Sequence, residues 1–253
     1  MANKHKQNSK IPQTYDTTIS AAYVDEIRRK LRESSSKENA AQLRKSIKSD
    51  VDLYGVNHTD THKIGLDCVR KLRSDGLAQT LHIADQLYQS HKHEEALIGA
   101  QLVGALSRLI TASDFEKVSH WVDHVFSPQT ADSLAISCYS ACLAAKPSLV
   151  KTMREWARSE NPYKRRTAIA SFNPLVREGR FLTDALEVAE ILMSDNDIDV
   201  QRGVGVMLLE ATRLQPDRVI TFLASWKDSL SSTIQSIATS KLRPDQKNQL
   251  REK

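Results

Sequence analysis

The sequence is poor in helix-breaking residues: 253 residues include only 8 glycines and 7 prolines. Aromatics make up 6%. With Ala, Leu, Ser, Lys, Arg and Glu dominating, this composition favours helix over strand. Cysteine is scarce too. Cys68, Cys138 and Cys142 form an odd set with no CxxC pair, which argues against a disulfide framework. Cys138 and Cys142 sit four apart in SLAISCYSACLAA, a small and apolar stretch, and read as buried structural thiols in a reducing compartment. A cytoplasmic location is expected. No apolar run approaches the roughly 20 residues that span a bilayer, so no membrane partner is expected. The opening MANKHKQNSKIPQTYD has no apolar core and does not read as a secretory signal. It is expected to be a disordered basic tail over residues 1–16, followed by one helical-repeat domain over 17–253. Also absent are GxSxG, a P-loop, GxGxxG and any paired-carboxylate motif, which excludes most familiar enzyme signatures.

What is present is helical periodicity and positive charge. From Thr18 on, apolar residues recur at helical spacing: Ala21, Val24, Ile27 and Leu31 form a first stripe, and Ala41, Leu43 and Ile47 a second. Gly55 is placed at a turn that calls for positive φ. Thr59 or Asp60 is the expected cap of a helix reaching about residue 73. Further helices are expected at about 77–89, 93–110, 114–126, 129–145, 148–158, 162–175, 181–194, 198–214, 216–228 and 231–241. Two helices per roughly 35 to 45 residues is the rhythm of an all-α, HEAT-like helical-repeat solenoid, an α-α superhelix with a concave groove.

The net charge of +5 permits nucleic-acid binding without requiring it. The cations cluster around WARSENPYKRRTAIA. Pro162 suits a first helical turn, and Lys164, Arg165 and Arg166 follow it. Three cations there oppose the helix dipole, so helix stability does not explain them, whereas a polyanion would. Lys151, Arg154 and Arg158 share a face of the preceding helix, and Arg202 and Arg213 follow on the helix at 198–214. Together these are expected to form one basic surface for phosphate contacts, although solvated faces are the ordinary alternative. Register with Ile169, Phe172 and Val176 places Arg165 nearer the edge of the core. Asp132, just inside a helix start, is by itself an ordinary helix-N-terminal aspartate. His58 with His62, and His120 with His124, have an i, i+4 spacing that can bind zinc. Neither pair has a third ligand in a known arrangement, so both read as solvated faces and no metal is expected.

Four stretches resemble the DNA alkylation repair proteins of the AlkD kind, helical-repeat DNA glycosylases for alkylated purines. They are LYGVNHTDTHKIG, ADQLYQSHKHEEALIGAQLV, WARSENPYKRRTAIASF and DIDVQRGVGVMLLEATRLQPDRVITFL, and together they span roughly residues 50 to 240. The resemblance implies Asp132 as the aspartate that stabilises the cationic sugar, and Arg166 as a phosphate contact beside the lesion. Tyr163 falls at an aromatic position and Arg202 at a basic one. Pro128 and Val206 stand where the family has pocket tryptophans. The implied activity is hydrolysis of the N-glycosidic bond of N3- or N7-alkylated purines in double-stranded DNA by a monomer, with no cofactor and little base flipping. Two alternatives stay open: a non-catalytic member that binds damaged or branched DNA, and a protein-binding scaffold.

Overall fold

The computed structural model describes residues 15–47 and 51–252. In chain order, the first helices are α1 (Thr17–Glu33), α2 (Lys37–Ser46), α3 (His58–Leu72), α4 (Gly76–Gln89) and α5 (His93–Ala105). The middle of the chain forms α6 (Phe115–Val118), α7 (Pro128–Leu134), α8 (Ser140–Ala145), α9 (Val150–Trp156) and α10 (Pro162–Ala170). The last are α11 (Asn173–Arg177), α12 (Leu182–Leu192), α13 (Ile198–Ala211), α14 (Pro216–Ser225), α15 (Ser232–Ala238) and α16 (Pro244–Glu252). Short 3-10 turns cover Ser107–Leu109, Ser119–His124 and Pro147–Leu149. The chain is all-α, as its periodicity predicts.

Helices α3, α5, α7, α10, α13 and α15 pack each on the next and form one layer. They begin at His58, His93, Pro128, Pro162, Ile198 and Ser232, which lie 34 to 36 residues apart. The others flank this layer: α1 packs on α4, α9 on α12, and α14 on α16. This is a helical-repeat architecture with nearest-neighbour contacts. Side chains start several of the repeats. Asn57, Ser127, Asn161, Asp197 and Ser231 each accept backbone N–H groups that the first turn would leave unpaired. Asn57, rather than Thr59 or Asp60, therefore caps α3. Gly55 has φ +80°, as the turn there requires, and a Cβ on it would lie 2.5 Å from the Ser36 carbonyl oxygen.

Several expected helices are interrupted. The helix expected at 114–126 ends at Val118, where the Tyr139 hydroxyl bonds the Val118 carbonyl at 2.9 Å. The helix at 162–175 ends at Ala170, and α11 restarts with Pro174 in its first turn, where a missing N–H costs nothing. Between α7 and α8 the helix continues through a wider π segment, Ala135–Tyr139. Helix α16 was not anticipated. Val24, Ile27, Leu31 and Ile47 are buried as expected, whereas Ala21 and Ala41 are exposed. Ser20 takes the buried place on α1 and receives a hydrogen bond from Gln79 Nε2 at 2.6 Å. The expected basic tail lies mostly outside the described residues. Its last members are tied down: Tyr15 stacks on His82 at 3.9 Å, and Asp16 caps α1.

Candidate nucleic-acid interface

Two caps set up the centre of the helical layer. Ser127 and Thr130 form a capping box that starts α7, with Pro128 in its first turn. Asn161 starts α10, with Pro162 in the same place. These starts put Asp132 and Arg166 one turn inside adjacent helices, face to face. Arg166 Nε donates to Asp132 Oδ1 at 2.8 Å and Nη2 to Oδ2 at 2.6 Å, a two-point guanidinium–carboxylate grip. Its Nη1 donates to the backbone carbonyl of Asp199 at the start of α13. One guanidinium therefore joins three successive helices. Gly203 leaves room for the arginine stem, since a Cβ there would lie 3.3 Å from Arg166 Cγ. Arg166 is 7% exposed, whereas the Asp132 side chain is 33% exposed and keeps access to solvent.

Arg166 is nearly buried and spends three of its five N–H donors on Asp132 and the Asp199 carbonyl, so little of it is turned outward for a phosphate. Most of the other expected DNA contacts are also held by protein groups. Arg165 grips Asp195 with Nε at 2.6 Å and Nη2 at 2.9 Å, and its Nη1 donates to the Ser159 and Glu160 carbonyls. This fits the expected place at the core edge. Lys164 pairs with Asp123 at 2.8 Å and lies over the Trp156 ring. Arg202 pairs with Asp199 at 2.9 Å, and Arg213 with Glu210 at 3.1 Å. Arg154 pairs with Glu187 of α12 and lies 3.7 Å from Asp184. Arg158 donates to the Arg154 carbonyl at 2.9 Å, and Lys151 is exposed. Lys151 and Arg154 belong to flanking helix α9, not to the layer that carries Arg166 and Arg202. The single basic surface expected from the sequence is thus divided between two layers and largely offset by acids. Sequence reasoning missed those acids, which are Asp123, Asp195, Asp199, Glu187 and Glu210.

Trp121 and Trp156 are packed into the core. Trp121 is 1% exposed, stacks on Tyr88 at 4.9 Å and donates Nε1 to Asp85 at 2.7 Å. Trp156 is buried against Phe115 and Tyr139. Tyr163 is half-buried against the core, and Val206 is half-buried. One turn beyond Asp132 stands Ile136, which is 44% exposed. His58 and His62 line a small cleft with Gln101 and Ser133. His120 binds Asp85 at 2.8 Å, while His124 Nδ1 lies 3.4 Å from His91 Nδ1. Among the described residues no three His, Cys, Asp or Glu groups converge as a metal site. Cys138 and Cys142 are buried free thiols. The hydrogen bond between them and their burial push the Cys138 pKa well up, which makes it inert as a nucleophile.

A stacked array of helices, stitched through its middle by a carboxylate and a guanidinium, defines a helical-repeat protein. A family model for the DNA alkylation repair enzyme matches residues 27–242, and the chain belongs to that family. A solved structure of a predicted DNA alkylation repair enzyme from Enterococcus faecalis is similar, with 14% identity and a TM-score of 0.69. The likeness covers 83% of this chain and 98% of that one, and at this identity it concerns the fold. No curated protein matches the chain. Family membership supports a general role in alkylation repair and implies DNA as a partner. Among the described residues no helix is long and apolar enough to cross a membrane.

Proposed function

We propose that the chain hydrolyses the N-glycosidic bond of N3- or N7-alkylated purines in duplex DNA, with Asp132 as the catalytic group. The carrying observation is the Asp132 carboxylate, one-third exposed and fixed at both oxygens by buried Arg166. An alkylated purine is already cationic and leaves without a general acid. The enzyme's task is to stabilise positive charge as it develops on the sugar. A preoriented carboxylate does this without reorganising when the bond breaks. Arg166 is then a positioning residue that acts through Asp132, not the phosphate contact the resemblance implies. The role goes with a cytoplasmic monomer that needs no cofactor.

The test is release of base from duplex containing N7-methylguanine. Wild type is expected to release it, and Asp132→Asn to lose roughly 100-fold or more in kcat. Arg166→Lys keeps the charge but loses the two-point grip, so kcat should fall with KM little changed. If wild type binds the duplex and releases nothing, the catalytic assignment is wrong. The second reading, a DNA-binding member without catalysis, then takes its place. One observation favours that reading: Trp121 and Trp156 are buried against other aromatic rings and are not offered to a ligand.

A further inference from the structure

The helix that carries Asp132 continues past it along one side of an open groove of about 620 Å³. Ile136, Ser140 and Ala144 follow Asp132 at four-residue steps and line that groove. The π segment lies within this run, the kind of interruption that recurs at functional sites. Arg108, after α5, and Arg180, after α11, line the groove as well. Arg108 is exposed and makes no ion pair among the described residues. Arg180 lies over the Phe181 ring at 5.5 Å, and its one acidic contact among the described residues is Glu178 at 3.5 Å, two residues away, where both side chains are about half exposed or more. Such a surface pair contributes little and is readily exchanged. These two cations contrast with Arg154, Lys164, Arg165, Arg166, Arg202 and Arg213, each of which holds an acid.

We infer that this groove seats a sugar–phosphate strand of the DNA beside Asp132, with Arg108 and Arg180 as its phosphate contacts. The inference rests on the DNA-binding reading above and deepens it by giving the strand a path. Small side chains at Ser140 and Ala144 let a backbone come close. The two guanidiniums supply charge that no protein acid already neutralises, apart from weakly placed Glu178.

The experiment uses the full chain and a fluorescein-labelled 16-base-pair undamaged duplex, with anisotropy titrations across a range of salt. The double variant Arg108→Ala/Arg180→Ala is expected to lower the salt slope by about 2, near 0.9 per lost phosphate contact. Binding should weaken roughly tenfold or more at 0.1 M salt. Ala145→Trp, at an exposed position of the lining, should block the groove by volume, weaken binding and, by keeping the strand from the two arginines, lower the salt slope as well. If wild type binds and both variants bind as wild type does, with its slope, the groove is not the strand path while the DNA-binding reading stands. If wild type binds no duplex at low salt, both fall. Circular dichroism of the variants checks that these surface changes leave the helices intact.

Discussion

At the scale of single residues, Arg166 decides the most. A nearly buried guanidinium is tolerated only where its charge and donors are met, and here Asp132 and the Asp199 carbonyl meet them. The site therefore has a structural duty as well as a chemical one. Asp132→Ala leaves the guanidinium without its counter-charge and should cost about 2–3 kcal/mol in urea unfolding. That is below the figure for a fully buried pair because water reaches the Asp132 side. If Asp132→Ala were as stable as wild type, Arg166 would have to be hydrated and mobile, and the fixed carboxylate on which the catalytic reading rests would be lost. Gly55 makes a second residue-scale case. A side chain there meets both a left-handed backbone and the Ser36 carbonyl, so Gly55→Ala should destabilise by more than about 1 kcal/mol in the same measurement.

At the scale of elements, the sequence speaks clearly where the reason is local. Helix starts at Pro128 and Pro162, the turn at Gly55 and the Val24, Ile27 and Leu31 part of the α1 stripe all follow from short-range rules, and they stand where expected. The charge pairing was not legible at that range. Asp132 lies 34 residues from Arg166, Arg177 lies 33 from Glu210, Arg154 lies 33 from Glu187, and Asp85 lies 35 from His120. These separations match the spacing of successive helices in the layer, so opposite charges one repeat apart face each other. Comparing charges at that period, rather than within one helix, would have shown a protein partner for Arg166, whereas Lys164 and Arg165 pair across 41 and 30 residues and fall outside it. The early end of the helix after Phe115 goes with a tertiary bond from Tyr139, and neither it nor the π segment leaves such a trace.

Helix α5 carries a pH effect that belongs to the element. His93 opens it, buried beside Ser127, and burial holds its pKa below the ordinary 6.5, aided by His58 and opposed by Glu94. His124 is lowered as well, first by burial and then by His91 and His120. A histidine with a lowered folded pKa stays neutral in the fold while the unfolded chain takes up a proton. Stability is therefore complete above pH 6.5 and declines as pH falls from there toward the folded value. Urea unfolding between pH 8 and pH 5.5 should show this decline. His93→Gln should flatten part of it, with His124 supplying the rest. A stability that rose on acidification would contradict the burial of both rings.

At the scale of the whole molecule, the apolar core falls into two clusters. One gathers Val24, Ile27, Leu31, Ile64, Cys68 and Leu72 with parts of α4 and α5. The other runs from Leu77 through the middle repeats to Ala238. Helices α4 and α5 contribute to both, so they form the seam. In a repeat array each unit is stabilised by its own packing and by its immediate neighbours, and local openings do not have to spread along its length. The N-terminal helices α1 and α3 have one neighbouring unit, whereas α10 and α13 are enclosed on both sides. Amide hydrogen exchange should therefore report at least two opening free energies, with α1 and α3 opening together below α10 and α13. Ile27→Ala, which removes a fully buried side chain from the smaller cluster, should cost about 2–4 kcal/mol there. It should lower protection in α1 and α3 and leave α10 and α13 near their wild-type values. Equal loss of protection across all four helices would mean that the chain unfolds as one unit. The helices that hold Asp132 and Arg166 would then have no stability independent of the N-terminal repeats.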